Sequence, residues 1–476
     1  MQKMYAGARL RTLRDQRGLS QTAMAKLLEL SVSYINQLEN DQRPLTVPVL
    51  LKLNATFDLD MGFFAADTDA RLLADLHDIF AEDPDATTIT NAELDDLTAR
   101  VPAAARLLVS LHRRLRSSAQ QIEQFAAGIE SPLGGAVTPY EDVRDFFYDR
   151  RNHIPELDLA AEALFTENRL GIGGLDLELS RLLSERYGVT VTIRSDNPAD
   201  PGPKRVYDPA TRHIVLARRL SAGQRAFQLA TQLAFLSHSH TIEAITSTVS
   251  MPAESRDLLR IGLANYFAGA LILPYARFRA AAEELRYDIE LLSSMFEVGF
   301  ETVCHRLSTL QRPNQRGVPF FFVRTDRAGN ISKRQSATAF HFSRVGGSCP
   351  LWVVHDAFTT PGRIRTQIAE MPDGRKYLWL ARTTDESTPG FLSPKRDFAI
   401  GLGCDIAHAE RLVYSSGLPL HDESTAVPIG AGCKVCERPN CAQRAFPQLG
   451  RSIRVDDNRA TNIPYTPADH RTGDES

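Results

Sequence analysis

Apolar positions recur along this chain in two rhythms, and the switch between them sets out its organisation. Over residues 6–60 they fall at helical intervals in short bursts broken by turn residues, which predicts a compact set of short helices. Helical spacing continues through Leu72, Leu73, Leu76, Ile79 and Phe80, and again through Leu107, Leu108, Leu111 and Leu115. Each set predicts an amphipathic helix packed on its neighbours, with a contact to a second copy as an added role. The Gly/Pro-rich stretch GIESPLGGAVTPYEDV interrupts the pattern and places a boundary near Ser131. From Tyr140 to Arg312 the rhythm is again mainly helical, except that VTVTIR and RHIVLA alternate and predict a hairpin pair. After RPNQRGVP, the runs FFFVRT, TAFHFS, LWVVHD and KYLWLART are short, apolar and separated by turns, which predicts a small sheet domain. Beyond Arg454 the chain is polar and poor in aromatics, as a mobile tail would be. The expected fold class is therefore multidomain α+β. It has an all-α module over 1–66, a helical linking and dimerising segment over 67–130, and a mainly helical middle domain over 140–312. A β-rich domain over 313–453 and the tail over 454–476 complete it. No internal repeat is visible.

Composition narrows the classes. The 476 residues leave room for roughly two to four domains. With 43% hydrophobic and 24% charged residues the chain reads as ordinary globular protein. No apolar run is long enough to span a bilayer, and MQKMYAGARLRTLRDQRGLS lacks a signal-peptide core, so the expectation is a cytoplasmic protein with no membrane contact. The net charge is −3, so any nucleic-acid contact must come from a local surface. Six cysteines in such a chain point to metal or redox chemistry more than to structural disulfides.

The first sixty residues carry a specific internal logic. Ser20 can cap a helix that starts at Gln21, Ala25 is small enough for a close helix crossing, and Leu30-Ser31 makes a turn into a second helix with Ile35 and Leu38 inward. This framework resembles the helix-turn-helix of the Xre/Cro-like repressors. The resemblance implies that the start of the second helix enters the major groove. Gln21, Val32, Ser33 and Asn36 are then the base-edge candidates, and Ser31, Tyr34, Gln37 and Asn40 the phosphate or positioning candidates. Residues 1–60 hold eight Lys/Arg against six Asp/Glu, so one copy should bind weakly and a homodimer, or a higher homo-oligomer, on paired half-sites of double-stranded operator DNA is expected.

RAFQLATQLAFLSHSH, followed by RIGLANYFAGALILP, resembles the paired helices of the IrrE/ImmA family. There the first helix carries His-Glu-x-x-His and the second a carboxylate, which together hold zinc and a general base. Here Thr231, Gln232 and Phe235 stand at the first three positions and Ile261 at the carboxylate position. None of these can ligate zinc or take a proton from water. His238 and His240 do not substitute, because i, i+2 residues face different sides of a helix. What the resemblance leaves is a degenerate zincin-like scaffold with no catalytic residues, whose cleft, lined by Phe235, Ile261 and Tyr266, suits a small apolar ligand. LLSSMFEVGFETVCHRLSTL has a second helix-turn-helix cadence but reads as structural, with Cys304 a buried core thiol.

Near the C-terminus Cys433-x₂-Cys436-x₄-Cys441 places three thiols within nine residues. Two thiolates at that spacing can grip one metal centre and the next turn can supply a third. The fourth position falls to a distant residue. Cys404 is the first choice, because Gly401 and Gly403 allow close approach; Cys349 is the second, and His408, at i, i+4 from Cys404 on an expected helix, would complete a Cys₃His zinc site. Spacing alone leaves zinc and iron–sulfur open.

Taken together, the reader, the degenerate cleft, GSCPLWVVHDAF, GLGCDIAHAERLVY and CERPNCAQRAFP in this order resemble the short-chain fatty acyl-CoA transcriptional regulators, most nearly those of propionyl-CoA carboxylase. The resemblance covers nearly the whole chain. It implies a transcription factor responsive to an acyl-CoA, and it moves the metal expectation to a [4Fe–4S] cluster, with zinc as the alternative. An acyl-CoA needs cations for its phosphates and an apolar slot for its tail. Tyr148, Arg150 and Arg151, with Arg324, Lys333 and Arg334, are the candidates beside Phe235 and Tyr266. The competing expectations are a redox regulator that senses through the cluster and a peptidase that cleaves a partner repressor.

Overall fold

The computed structural model describes residues 7–40, 42–57, 72–73, 75–76, 79–80, 89, 91–112, 115, 139–195, 202–336, 348–385, 396–434, 436–438, 440–448, 453, 455 and 465. The chain divides into two compact units. One comprises 1–135, 339–346 and 444–476; the other comprises 136–338 and 347–443.

The first unit opens with α1 (Gly7–Gln16), α2 (Gln21–Leu27), α3 (Val32–Glu39) and α4 (Val47–Phe57). Their inward faces share one core of Leu10, Leu13, Met24, Leu28, Ile35, Leu38, Val49 and Leu53, with Ala25 buried at the α2–α3 crossing. Both helices of the central pair start on a serine: Ser20 Oγ accepts from the Ala23 N–H and Ser31 Oγ from the Tyr34 N–H, each at 3.1 Å. Gly7 lets α1 approach the end of α3, since a Cβ there would lie 2.5 Å from the Leu38 and Glu39 carbonyl oxygens. Further on come α5 (Asn91–Arg100) and a helix over 102–112, α6. Leu72, Leu73, Leu76, Ile79 and Phe80 pack with Leu94, Leu97, Ala105 and Val109, as the first leucine-rich spacing predicted. The second spacing has a different outcome. Ala105 and Val109 form the inward face of α6, whereas Leu107, Leu108, Leu111 and Leu115 are exposed, Leu115 to 68%.

The second unit begins with α7 (Pro139–Asp149), α8 (Pro155–Glu167) and α9 (Leu175–Tyr187), followed by β1 (Thr190–Arg194), β2 (Arg205–Asp208) and β3 (His213–Ala217). The expected hairpin of VTVTIR and RHIVLA is corrected here. β1 and β3 run parallel, and the antiparallel partner of β3 is β2, a four-residue strand too short for its alternation to show in the sequence. Six helices follow: α10 (Ala222–Ser237), α11 (Ser239–Ser247), α12 (Ala253–Ile272), α13 (Tyr275–Glu284), α14 (Ile289–Met295) and α15 (Phe300–Leu307). Ser221 and Gln224 form a reciprocal capping box at the start of α10. The helix-turn-helix cadence of α14 and α15 is structural, with Leu292, Val303, Cys304 and Leu307 all in the core.

The rest is a six-stranded sheet in the order β5-β4-β8-β7-β6-β9, built from β4 (Phe321–Thr325), β5 (Ile331–Ser336), β6 (Arg365–Glu370), β7 (Lys376–Asp385), β8 (Asp397–Asp405) and β9 (Val427–Pro428). LWVVHD is not a strand: Val353–Asp356 form a one-turn helix, α16, whose Val353 and Val354 are buried. A short apolar run does not by itself separate strand from helix. TAFHFS and most of the tail lie outside the described residues. The middle and C-terminal regions share one core: Leu378, Leu380, Ile400 and Leu402 of the sheet join the cluster that holds Leu229, Leu263, Phe267 and Leu307. The boundary expected at 312 therefore does not separate two cores.

Candidate functional site

In the reader, α3 presents Val32, Ser33 and Asn36 to solvent while Ile35, Leu38 and Glu39 point inward. Buried Glu39 organises the surrounding polar groups. Arg14 Nε donates to its carboxylate at 2.6 Å and Gln21 Nε2 at 2.7 Å, so Gln21 is tethered rather than free to reach a base. Ser31 is the helix cap, Tyr34 and Gln37 are half-buried, and Asn40 Nδ2 donates to Asn36 Oδ1 at 2.7 Å. Two cations flank this surface that pattern reading passed over. Arg11 donates to Asn40 Oδ1 at 2.8 Å, and Arg43 lies over the Tyr34 ring. Their signal was their charge beside the recognition helix, the residue type that meets phosphate.

The IrrE-like pair is α10 and α12. Thr231 Oγ1 donates to the Phe227 carbonyl at 2.8 Å and lies 3.3 Å from Asn265 Oδ1, which ties the two helices at the former metal position. Gln232 is buried, Phe227 and Phe235 are partly exposed, and Ile261 is 50% exposed. These residues form an open, largely apolar face. Tyr266 is not on it. Its ring stacks on Phe147, its hydroxyl accepts from the Ile154 N–H at 3.1 Å, and burial pushes its phenol well up, so it is a core tyrosine. Behind it lies a buried ionic network in which Asp158 accepts from Arg306 at 2.7 Å and from Arg312 at 3.1 Å, with His153 at 3.2 Å. Burial opposes ionisation of Asp158, but the Arg306 guanidinium and the bonds from His153 and Arg306 hold its carboxyl well below the usual range.

The six ligand candidates at the ends of this unit do not converge on one point. Tyr148, Arg150 and Arg151 end α7, where Arg150 is exposed and lies 3.9 Å over the Phe146 ring and Arg151 takes a φ of 50°. Arg324 and Lys333 are opposite each other on β4 and β5, on the face covered by α15, where Arg324 pairs with Glu301 at 3.2 Å. Arg334, the next residue, projects to the other side and sits 4.0 Å from Glu141 of α7.

The cysteines are rearranged relative to expectation. Cys404 is fully buried in β8 opposite Leu378, in the shared core. Burial pushes its thiol well up, and the charges it feels are those of Asp405 and Arg411. Gly401 and Gly403 do not open a path to it. A Cβ on Gly403 would lie 2.0 Å from the Phe321 ring and one on Gly401 2.7 Å from the Val323 and Val354 methyls, so these glycines make room for neighbouring core side chains. His408 is in a 3₁₀ turn after the strand rather than on a helix with Cys404. Cys349 has the company that Cys404 lacks. Burial raises its pKa, the Gly430 and Leu351 N–H groups lower it, and Cys436 and Cys441 raise it again. Gly430 also abuts Cys436, where a Cβ would lie 2.6 Å from its Sγ. Cys349, Cys433 and Cys436 are buried and Cys441 is partly exposed. Among the described residues no three such side chains already surround one point, so the loop must draw in to hold an ion. The donor set is nonetheless all thiol, which suits zinc or iron–sulfur.

The comparisons with known proteins agree with this layout. Helix-turn-helix domains match residues 10–64, IrrE N-terminal-like domains 184–308, and the C-terminal region of short-chain fatty acyl coenzyme A regulators 309–465. The HTH-type transcriptional regulator PrpR of Mycobacterium tuberculosis is 57% identical over 468 residues, 98% of this chain and 96% of that protein. The chain belongs to the short-chain fatty acyl-CoA regulator family. RamB of the same organism is 50% identical over 473 residues, covering 98% of this chain and 99% of its own, and a propionyl-CoA carboxylase regulator of Cereibacter sphaeroides is 40% identical with the same coverage. A solved Mycobacterium tuberculosis transcriptional regulator superposes with a TM-score of 0.67 at 60% identity, over 69% of this chain and 99% of that one. This member is a DNA-binding transcriptional regulator of short-chain acyl-CoA metabolism and not an enzyme. Among the described residues no single helix is long and apolar enough to cross a membrane.

Proposed function

We propose that this regulator binds operator DNA as a cytoplasmic homodimer and that a bound short-chain acyl-CoA changes that binding. The observation that carries the reading is the face between α10 and α12, where Thr231, Gln232, Phe235 and Ile261 replace the groups a metallopeptidase needs and leave apolar surface accessible. An acyl tail gains by covering Phe227, Phe235 and Ile261, each methylene contributing about 0.8 kcal/mol when fully buried. Arg150 at the end of α7 is an exposed cation in the same unit for a phosphate. Thermal unfolding with free coenzyme A, acetyl-CoA, propionyl-CoA and butyryl-CoA tests the reading. The acylated forms should stabilise the protein, by about 2.7 kcal/mol at a hundredfold excess over Kd. Ile261→Asp should abolish the preference for acylated over free coenzyme A. Unchanged melting and unchanged DNA affinity with every acyl-CoA would remove the effector.

Cys349, Cys433, Cys436 and Cys441 are the proposed ligands of a [4Fe–4S] cluster, with Cys349 taking the place first given to Cys404. Support comes from the contact of Gly430 with both Cys349 and Cys436, and from the nearness of Cys436 and Cys441 to the Cys349 thiol. Such a centre would make the C-terminal loop sensitive to oxidants. Iron, sulfide and zinc content of anaerobically purified protein decides the metal: stoichiometric zinc without sulfide overturns the cluster and keeps the ligands.

A further inference from the structure

α12 is used on two faces. Leu258, Ile261 and Asn265 follow one another at intervals of three and four and so share one of them. Ile261 and Leu258 are exposed there, and Asn265 meets Thr231 of α10. Ser255, Gly262 and Tyr266 share a second face, about a quarter-turn round the helix, and all three meet α7. The fully buried Ser255 donates through Oγ to Asp142 Oδ2 at 2.6 Å. Gly262 leaves room for α7, since a Cβ there would lie 3.2 Å from the Phe147 ring and 3.6 Å from a Val143 methyl. Tyr266 stacks on Phe147.

The two ends of α7 are held differently. At its C-terminal end Phe146 and Phe147 are buried, and the Asn152 N–H donates to the Phe147 carbonyl at 2.7 Å. The Ile154 N–H, just beyond, donates to the Tyr266 hydroxyl at 3.1 Å. The N-terminal end is tied to α12 by the bond from Ser255, and it is here that the chain arrives from the first unit.

We propose that α12 is a lever that passes occupancy of the Ile261 face to the start of α7, and through α7 to the reader. The lever regulates through the effector face described above and rests on that reading. A tail laid on Ile261 adds packing to one side of a helix whose other side is in close contact with α7 at Gly262. Close-packed helices answer such a change by repacking as units, because the interface holds no slack to absorb it. The shift is met at the end of α7 held by Asp142 and Val143, while the end at Phe147 stays anchored. That movable end sets where the chain enters the second unit. In a dimer on paired half-sites the entry points constrain the spacing of the two readers, and spacing decides whether both fit one operator.

The test uses the full-length protein and reads melting with propionyl-CoA, operator affinity with and without it, and hydrogen exchange of α7. In the wild type propionyl-CoA should alter exchange of the α7 amides and change operator affinity by at least about fivefold. Asp142→Ala, which removes the acceptor for Ser255, should keep the thermal shift and cut the change in operator affinity to below about twofold. Asp142→Asn, whose amide oxygen still accepts that bond, should restore the response. Gly262→Ala sets a methyl against Phe147 with no ligand present, so it should by itself change operator affinity by at least about threefold. If Asp142→Ala responds to propionyl-CoA as the wild type does, and Gly262→Ala alone leaves operator affinity unchanged, the lever is overturned and the effector reading stands. If no acyl-CoA shifts the melting of the wild type, the effector reading falls. Altered operator affinity in Gly262→Ala then keeps the mechanical link from α12 to the reader, and unaltered affinity overturns it as well.

Discussion

At the scale of single residues, neighbours more than residue type decide which groups are available. Cys404 and Cys349 are both buried thiols, yet Cys404 packs opposite Leu378 and Cys349 lies near Cys436 and Cys441. Cys349→Ser should therefore strip metal from the purified protein to the same degree as Cys433→Ser. Cys404→Ser should retain it and lose stability instead; full metal in the Cys349 variant would return the fourth position to another residue. The three clustered thiols were legible as candidate ligands from spacing, because a two-residue separation is itself a ligand geometry. The preference for Cys349 over Cys404 as the proposed fourth was not, because it depends on Gly430, far from Cys349 in sequence. Asn36 illustrates the same rule in the reader: it is exposed on α3, and Asn36→Ala should cost roughly 1–3 kcal/mol of discrimination at one base pair, measured by competition binding. Lys333 carries a pH prediction of its own. Its folded value of about 8 lies below the ordinary lysine value, so between about pH 8 and 10 the unfolded chain binds more protons and stability rises with pH. Denaturant unfolding should show the wild type gaining on Lys333→Met across that interval; a constant difference would mean the amine is not perturbed.

Among the elements, those with enough apolar repeats or alternation were readable and the four-residue pieces were not. α3, α10 and α12 carry enough apolar repeats to be identified from pattern, and β7, with ten residues, was visible as KYLWLART. The four-residue β2 reversed the reading of its neighbours, because a strand inserted between two others changes their pairing without altering their own sequences. α16 failed for the related reason that one apolar turn of helix and one short buried strand have the same composition. On α6 the leucines are the outer face and the small residues the inner one, the inverse of the usual expectation. Leu111→Glu combined with Leu115→Glu should leave the helix packed through Ala105 and Val109 and convert a dimer to monomers in sedimentation. An unaltered sedimentation profile would exclude this stripe from self-association.

For the second unit as a whole, the buried network around Asp158 joins α8, α15 and Arg312 across the core that the helices share with the sheet. Asp158→Asn leaves Arg306 buried without its counter-charge and should cost about 3–5 kcal/mol. The carboxyl is held below its ordinary range, so its contribution is complete above about pH 4 and is lost as pH falls below that. Acid unfolding of the wild type should begin in that region, and Asp158→Asn should flatten the dependence. The core shared across the boundary expected at 312 was the least legible property at this scale. Composition changes after RPNQRGVP, but Phe320 and Phe322 on the far side of that change pack into the helical core.

Loss of the thiol loop would be felt first at the outer rim of the sheet. β9 covers only Ala369 and Glu370 of β6, and the rim there is held by Arg438, which donates to the Glu370 carbonyl at 2.6 Å and to the Ile429 carbonyl at 3.1 Å. Arg438 sits two residues after Cys436, so whatever fixes the thiols also fixes this latch. Releasing it would bare a hydrogen-bonding strand margin to other molecules of the same protein, the usual opening for strand-to-strand stacking. If the thiols hold the proposed metal, chelated or oxidised protein should then turn cloudy with a steep dependence on its own concentration, and Arg438→Ala should do so without chelation or oxidation.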